Sequence, residues 1–237
     1  MKNLLIILFA LIQFGCNNAQ SNESDSAILN ENLEPVELTL YEVFTAKDVA
    51  FSNLQNSLPA IEGFNPMPKT GQGTHLENIF GITKIEPSKA KIIAGIKEYL
   101  GSNASIIPMW SKYKIASSNP SFHLYLLKET KNVLSMGASG IVSNTVQANQ
   151  YTGSPQANPY TGSPELQLKL NDALAKDWNA LTKKVAAAGN GYLAIVIEGQ
   201  VYSCPLVREP ITGNNLSIVF DKLEEAKTIS ARLKVLK

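Results

Sequence analysis

Residues 189–218 read GNGYLAIVIEGQVYSCPLVREPITGNNLSI, and the fold turns on this stretch. Leu193 to Ile197 is an unbroken apolar run of five, the pattern of a buried strand. Glu198-Gly199 follows with turn chemistry, because a tight hairpin needs positive φ and glycine accepts it without a clash. Val201, Tyr202 and Cys204 carry the return strand. Pro205, lacking a backbone N–H, belongs at a sheet edge or where the strand stops. Pro210 and Gly213-Asn214-Asn215 bracket a further extended piece before Leu216–Phe220.

Helical patterns flank this unit. Asn171 or Asp172 caps a helix whose apolar face is Leu174, Trp178, Leu181 and Val185, and Gly189-Asn190-Gly191 ends it. Trp178 fills the core against the inner face of the hairpin, so its indole N–H needs an acceptor. On the other side Asp221-Lys222-Leu223-Glu224 reads as a capping-box variant. It opens a helix with Leu223, Ala226, Ile229 (or Ser230), Leu233 and Leu236 as its stripe.

The same residues resemble the end of the first large periplasmic domain of the SecD/SecDF protein-export proteins. That family reads AIVLDG-x-V-x-SAP at a hairpin, then PI-x-GG, then a helix opening T-x-EEA. Ala194-Ile195-Val196-Ile197-Glu198-Gly199, Ser203-Cys204-Pro205, Pro210-Ile211-Thr212-Gly213 and Leu223-Glu224-Glu225-Ala226 follow the pattern. Cys204 replaces a small Ala and Asn214 the second Gly.

Upstream, Val36–Phe44 alternates as a half-buried strand, and Asp48–Leu58 reads as a helix with Val49, Leu54 and Leu58 inward. This pair resembles the opening of the same periplasmic domain. Pro59–Thr74 is a loop. Pro87 opens a helix stepping through Ala90, Ile93, Ala94, Lys97 and Leu100, with Gly101 as its left-handed cap. Ile106–Ile115 and Phe122–Leu127 are strands, and Trp110 and Leu124-Tyr125-Leu126-Leu127-Lys128 fit the family's strand order. Leu166, Leu168 and Leu170 alternate as one more.

The chain begins with Lys2 and an apolar run from Leu4 to Ile12, too short to span a bilayer but suited to a signal peptide over residues 1–15. Gln13-Phe14-Gly15-Cys16 resembles the lipobox of bacterial lipoproteins, which implies lipidation of Cys16; the plain alternative is a secretory signal with an incidental cysteine. Residues 16–35 are then a polar tether with too little to bury to become ordered. Residues 36–130 are expected as an N-terminal base-like α+β portion and residues 131–237 as a SecDF head-like domain. The fold class is α+β, a mixed β-sheet with helices packed on one face.

A nine-residue repeat, QANQYTGSP then QANPYTGSP, spans 147–164. It is a duplicated turn in a tolerant loop, or a recognition loop presenting Tyr151 and Tyr160. Thr70-Gly71-Gln72-Gly73-Thr74-His75 is no phosphate loop, since no strand precedes it and no Gly-Lys-Ser/Thr follows.

In 237 residues, 21 basic side chains against 20 acidic leave a formal charge of +1, which excludes electrostatic capture of nucleic acid. His75 and His123 are the only histidines and have no metal-ligand spacing, so no metal and no cofactor is expected. His123 should face outward between buried neighbours. Cys204 reads as a small buried residue rather than a nucleophile, and Arg208 with Glu209 as a surface pair. No nucleophile stands with a base, so the chain is not expected to be an enzyme.

The expectation is a lipid-anchored cell-envelope protein that binds unfolded polypeptide or partner proteins of the export machinery. The hairpin edge would be a docking place for an added strand. Glu198, Gln200, Tyr202 and Arg208 join Tyr151 and Tyr160 as the candidate binding surface. A structural or regulatory lipoprotein, or a small-molecule or cell-wall sensor, would carry the same fold.

Overall fold

The structure, a computed structural model, describes residues 34–67, 77–101, 105–115, 120–129, 134–137, 140–147, 163–189 and 191–233. In chain order the elements are β1 (Leu38–Glu42), α1 (Val49–Ser57), β2 (Asn65–Pro66), β3 (Gly81–Thr83), α2 (Ser88–Leu100), β4 (Ile106–Trp110), β5 (Phe122–Lys128) and β6 (Leu134–Met136). There follow β7 (Ile141–Gln147), β8 (Glu165–Leu170), α3 (Asp172–Ala187), β9 (Gly191–Ile197), β10 (Gln200–Ser203), β11 (Leu206–Val207), β12 (Asn215–Val219) and α4 (Leu223–Arg232).

β9 is the central strand, and its apolar run is buried on both faces. Leu193, Ile195 and Ile197 enter one core while Tyr192, Ala194 and Val196 enter another. A strand's side chains alternate between faces, so two cores demand an unbroken apolar sequence. β9 pairs antiparallel with β1 on one side, Leu38 opposite Ile197 and Leu40 opposite Ile195. On its other side it pairs with β10 and then β11, and β6 completes the five-stranded sheet beyond β1. The hairpin between β9 and β10 closes through Glu198 and Gly199 with φ of 50° and 71°. Positive φ at both central residues is the type I′ geometry that matches strand twist.

The four-stranded sheet runs β2-β3-β5-β4, and the three-stranded sheet β12-β8-β7. All pairs between named strands are antiparallel; among the described residues the parallel contact is the bridge Ser111–Val201. With four helices among the described residues, the class is α+β.

β5 has two buried faces like β9. Phe122, Leu124 and Leu126 pack under α1 and α2, while Tyr125 and Leu127 meet Ala194 and Val196 of β9 in the layer between the two larger sheets. The opposite face of the five-stranded sheet is covered by α3, α4 and the inner face of the three-stranded sheet, where Leu166, Leu168 and Leu170 lie against Trp178, Ile195 and Ile229.

Several helix faces differ from their sequence patterns. In α1 Val49 is 74% exposed, and Phe51 and Leu54 are the buried pair. Phe51 meets Phe80 edge to face at 5.2 Å, so the larger ring takes the inward position. In α2 the stripe is Lys89, Ile92 and Ile96, while Ala90, Ala94 and Lys97 are exposed. The two isoleucines bury more area than the alanines, and Lys89 goes inward because Glu86 pairs its ammonium and the Phe122 ring lies 4.1 Å beneath it. In α4 the capping box does not form. The helix starts at Leu223 after Lys222, one residue too late for Asp221 to cap it. α3 follows its sequence pattern closely, with Asn171 Oδ1 accepting from the Leu174 N–H at 2.9 Å.

Candidate functional site

A concavity lies where α3, β9 and the segment from Pro205 to Ser217 meet. Pro205 has no N–H for the ladder, so β10 stops; its carbonyl still accepts from the Leu193 N–H at 3.2 Å, and β11 resumes pairing at Leu206–Tyr192. The chain then leaves the sheet through Arg208-Glu209-Pro210. α3 holds it there by both backbone groups of one residue. Thr182 Oγ1 accepts from the Ile211 N–H at 3.0 Å, and Asn179 Nδ2 donates to the Ile211 carbonyl at 2.9 Å. The far end is fixed by the Leu170 N–H on the Asn214 carbonyl at 2.7 Å.

Held off the sheet in this way, the segment leaves a cleft of 390 Å³. Leu40, Leu193, Ile195, Leu206, Val207 and Leu216 line it, with Trp178 in the wall and Arg208 and Glu209, both exposed, at its mouth. Trp178 is 4% exposed, and its indole N–H has no acceptor among the described residues. A buried donor without a partner costs about 1–3 kcal/mol.

A second polar cluster stands behind β10. Glu225 on α4 accepts from the Tyr113 hydroxyl at 2.5 Å and the Tyr202 hydroxyl at 3.0 Å, and Lys112 Nζ lies 3.7 Å from the same carboxylate. Burial and then the Glu225 carboxylate push both phenols well above the ordinary tyrosine range. The Lys112 N–H donates to the Val201 carbonyl at 2.8 Å.

These contacts redistribute the residues expected to form a binding surface. Arg208 lies at the cleft mouth. Tyr202 is buried and engaged by Glu225. Glu198 sits at the hairpin tip, 2.5 Å from Arg232 Nη2, and Gln200 is half-buried in β10. The hairpin edge is not bare, because the chain leaving β4 runs alongside it and Lys112 takes its Val201 carbonyl. Arg208 and Glu209 make no ion pair with each other. Cys16, Tyr151 and Tyr160 lie outside the described residues, as does His75.

Two titratable side chains are shaped by burial. His123 is half-buried between Phe122 and Leu124 rather than turned fully outward, and desolvation pushes its imidazole down to about 4. Cys204 accepts from Asn78 Nδ2 at 3.2 Å, and burial pushes its thiol up to about 12. Among the described residues no three His, Cys, Asp or Glu side chains are grouped to hold a metal, and no helix is long and apolar enough to cross a membrane.

Ile211 stands in the Pro210-Ile211-Thr212-Gly213 pattern, but the sequence does not single out Asn179 and Thr182 as the side chains that hold its backbone. The available signal was Thr182, a polar residue four positions after Trp178 on an apolar helix face. Glu225 belongs to the Leu223-Glu224-Glu225-Ala226 pattern, but nothing marks it as the acceptor of two phenols, since a glutamate in a helix's first turn is ordinary.

No curated protein matches the chain. Among solved structures it is similar to a membrane component SecDF that enhances protein export, at 15% identity and a TM-score of 0.36, covering 84% of this chain and 92% of that one. It is also similar to SecDF in the super-membrane-facing form, at 15% identity and a TM-score of 0.29, covering 90% of this chain. A third is the translocon-associated SecDF of Thermus thermophilus, at 17% identity and a TM-score of 0.29, covering 92% of this chain. The present chain spans 30% and 31% of the latter two. Residues 136–235 match the family model for SecDF, P1 head subdomain. Over those residues, from the end of β6 through α4, the chain carries a region that resembles the SecDF P1 head subdomain.

Proposed function

We propose that this protein is a non-catalytic component of the bacterial cell envelope, anchored by lipid on Cys16 behind a signal peptide, that binds unfolded polypeptide or a partner of the export machinery. The observation that supports the binding role is the coincidence of the SecDF P1 head match over 136–235 with an open apolar cleft built largely from those residues. An unfolded chain offers exposed aliphatic side chains, which such a cleft can desolvate at roughly 25 cal/mol per Å². Residues 36–130 serve as the base-like portion and 131–237 as the head-like one, with β1 contributing to the head's sheet through β6 and β9. The half-buried thiol of Cys204, pushed up to about 12, fits a structural role rather than a nucleophilic one.

The test is fluorescence anisotropy of a permanently unfolded, carboxymethylated polypeptide titrated with the mature protein. Saturable binding that Leu206→Asp weakens is expected. An anisotropy that stays flat, together with recovery of no export or envelope protein from detergent-solubilised membranes, overturns the reading. The anchor is tested separately: radiolabelled palmitate should enter the wild-type chain and not the Cys16→Ser variant.

A further inference from the structure

We infer that an extended polypeptide segment adds as a strand to the free edge of β12 and lays one aliphatic side chain in the cleft beside it. For the source of that segment this rests on the function proposed above; the edge itself rests on hydrogen-bond register.

In an antiparallel ladder, alternate residues give both backbone groups to one neighbour. The Leu170 N–H donates to the Asn214 carbonyl at 2.7 Å and the Phe220 N–H to the Pro164 carbonyl at 2.8 Å. Between them Leu216 stands opposite Leu168 and Ile218 opposite Leu166, so positions 214, 216, 218 and 220 face β8. Asn215, Ser217 and Val219 turn their N–H and C=O groups the other way, where among the described residues no backbone group pairs with them. Asn215 and Ser217 line the cleft. Leu206 of β11 lines it too, and because the Pro205 carbonyl accepts from the Leu193 N–H, Leu206 is the residue turned away from β9.

Other edges of the fold are closed by the same register. Pro66 in β2 and Pro108 in β4 both fall at outward-turned positions, where an added strand would need an N–H. The β10 edge is taken by the Lys112 N–H on the Val201 carbonyl. β12 reads Asn-Leu-Ser-Ile-Val, with neither the proline nor the charge that keeps natural edges from pairing. β7, the other edge of that sheet, is uncharged as well but does not line the cleft, and Asn144 Nδ2 ties it to the Ser230 and Leu233 carbonyls.

Alternating donors and acceptors at strand spacing match an extended main chain. A second copy offering its own β12 has no side chain for the cleft, because Leu216 and Ile218 are 6% and 0% exposed in their own core. An unfolded polypeptide has both its backbone groups and its aliphatic side chains unspent. On the added strand, the side chain opposite Leu216 meets the apolar lining of Leu193 and Ile195, and its two neighbours lie outward with Asn215 and Ser217. The preferred segment therefore alternates polar, aliphatic, polar. A volume of 390 Å³ suits one such side chain with its main chain, near the low end of the roughly 300–1,000 Å³ typical of ligand sites.

The experiment is residue-resolved amide hydrogen exchange of the mature protein, with acetyl-Ser-Thr-Leu-Thr-Ser-amide and with the same peptide methylated on both Thr nitrogens. In the free protein the Ser217 amide should exchange readily while Leu216 and Ile218 are protected. The first peptide should slow Ser217 at least about tenfold and leave Asn144 and Val146 of β7 unchanged; the methylated peptide, lacking the donors that face β12, should slow none of them. Ser217→Pro deletes the outward donor without touching the β8 ladder and should weaken binding roughly five- to tenfold, whereas Ser217→Ala should bind as the wild type does. Exchange in the unmutated protein decides the matter even if the proline variant folds poorly. Ser217 exchange unmoved at millimolar peptide, or slowed equally by the methylated one, overturns the inference. So does protection that grows with protein concentration alone, which assigns the edge to a second copy. If carboxymethylated polypeptide still binds in any of these cases, the proposed function stands without this site. If the peptide protects Ser217 but carboxymethylated polypeptide does not bind, the edge site stands and the unfolded-chain role falls.

Discussion

Replacing Glu225 by Ala removes the acceptor shared by two phenols, and the structure sets the size of the loss. Tyr202 is 9% exposed and stacks edge to face on both Tyr113 and Phe220, so its orphaned hydroxyl cannot turn to water. That costs about 2 kcal/mol, and the more open Tyr113 hydroxyl about 1 kcal/mol. Lys112, 3.7 Å away and one-third exposed, adds no more than a few tenths of a kcal/mol. Glu225→Ala should therefore destabilise by about 3 kcal/mol, a fall in Tm of roughly 6–12 °C for a domain of this size. Glu225→Gln keeps one acceptor oxygen and should cost about 1 kcal/mol. Urea unfolding of Glu225→Ala, Tyr202→Phe and the double variant forms a cycle whose coupling should be about 1–2 kcal/mol. A single-variant cost below about 0.5 kcal/mol, or strict additivity in the cycle, would refute the clasp as a stabilising contact.

Three further outcomes follow from the same geometry. Tyr113 and Tyr202 are held above the ordinary phenol value in the folded state, so their contribution is complete below about pH 10 and is lost as the pH climbs past it. Unfolding free energies from urea titrations between neutral and strongly alkaline pH should fall by up to about 1.4 kcal/mol per pH unit per phenol above that point, and the double Tyr→Phe variant should flatten the slope. Gly199→Ala should cost about 1–2 kcal/mol from the positive φ alone, since its Cβ would meet nothing within 4 Å; Gly191→Ala should cost as much or more for the opposite reason, its Cβ lying 2.6 Å from Val185 Cγ1 and 2.9 Å from the Val185 carbonyl oxygen. Cys204, half-buried with its thiol pushed up to about 12, should label with a disulfide reagent in the Cys16→Ser background far more slowly than an unfolded control at neutral pH; native labelling as fast as that control would contradict the raised thiol.

The hairpin and α3 were legible because both depend on neighbours. The Leu193–Ile197 run, the Glu198-Gly199 turn and the Asn171 cap are contacts across at most a few residues, and each carries its own residue signature. The faces of α1 and α2 were less legible. There Val49 competes with Phe51, and Ala90 with Ile92, and which side turns inward depends on what waits beneath: Phe80 for one helix, the Phe122 ring and Glu86 for Lys89 of the other.

The amino-acid sequence alone determined the paired strands at the heart of the chain, the alternating leucines of β8, the helix that carries Trp178 and the α+β class. Periodicity and turn stereochemistry act over short range, so they can be read along a line. Only the tertiary structure decided that the hairpin edge is taken by Lys112, that Tyr202 turns inward to Glu225, and that a cleft opens between α3, β9 and the segment from Pro205 to Ser217. Tyr113 and Glu225 are 112 residues apart, and Thr182 and Ile211 are 29 apart. Contacts at such separations arise when whole layers close on one another, and a polar residue does not announce beforehand which distant partner that closure will bring.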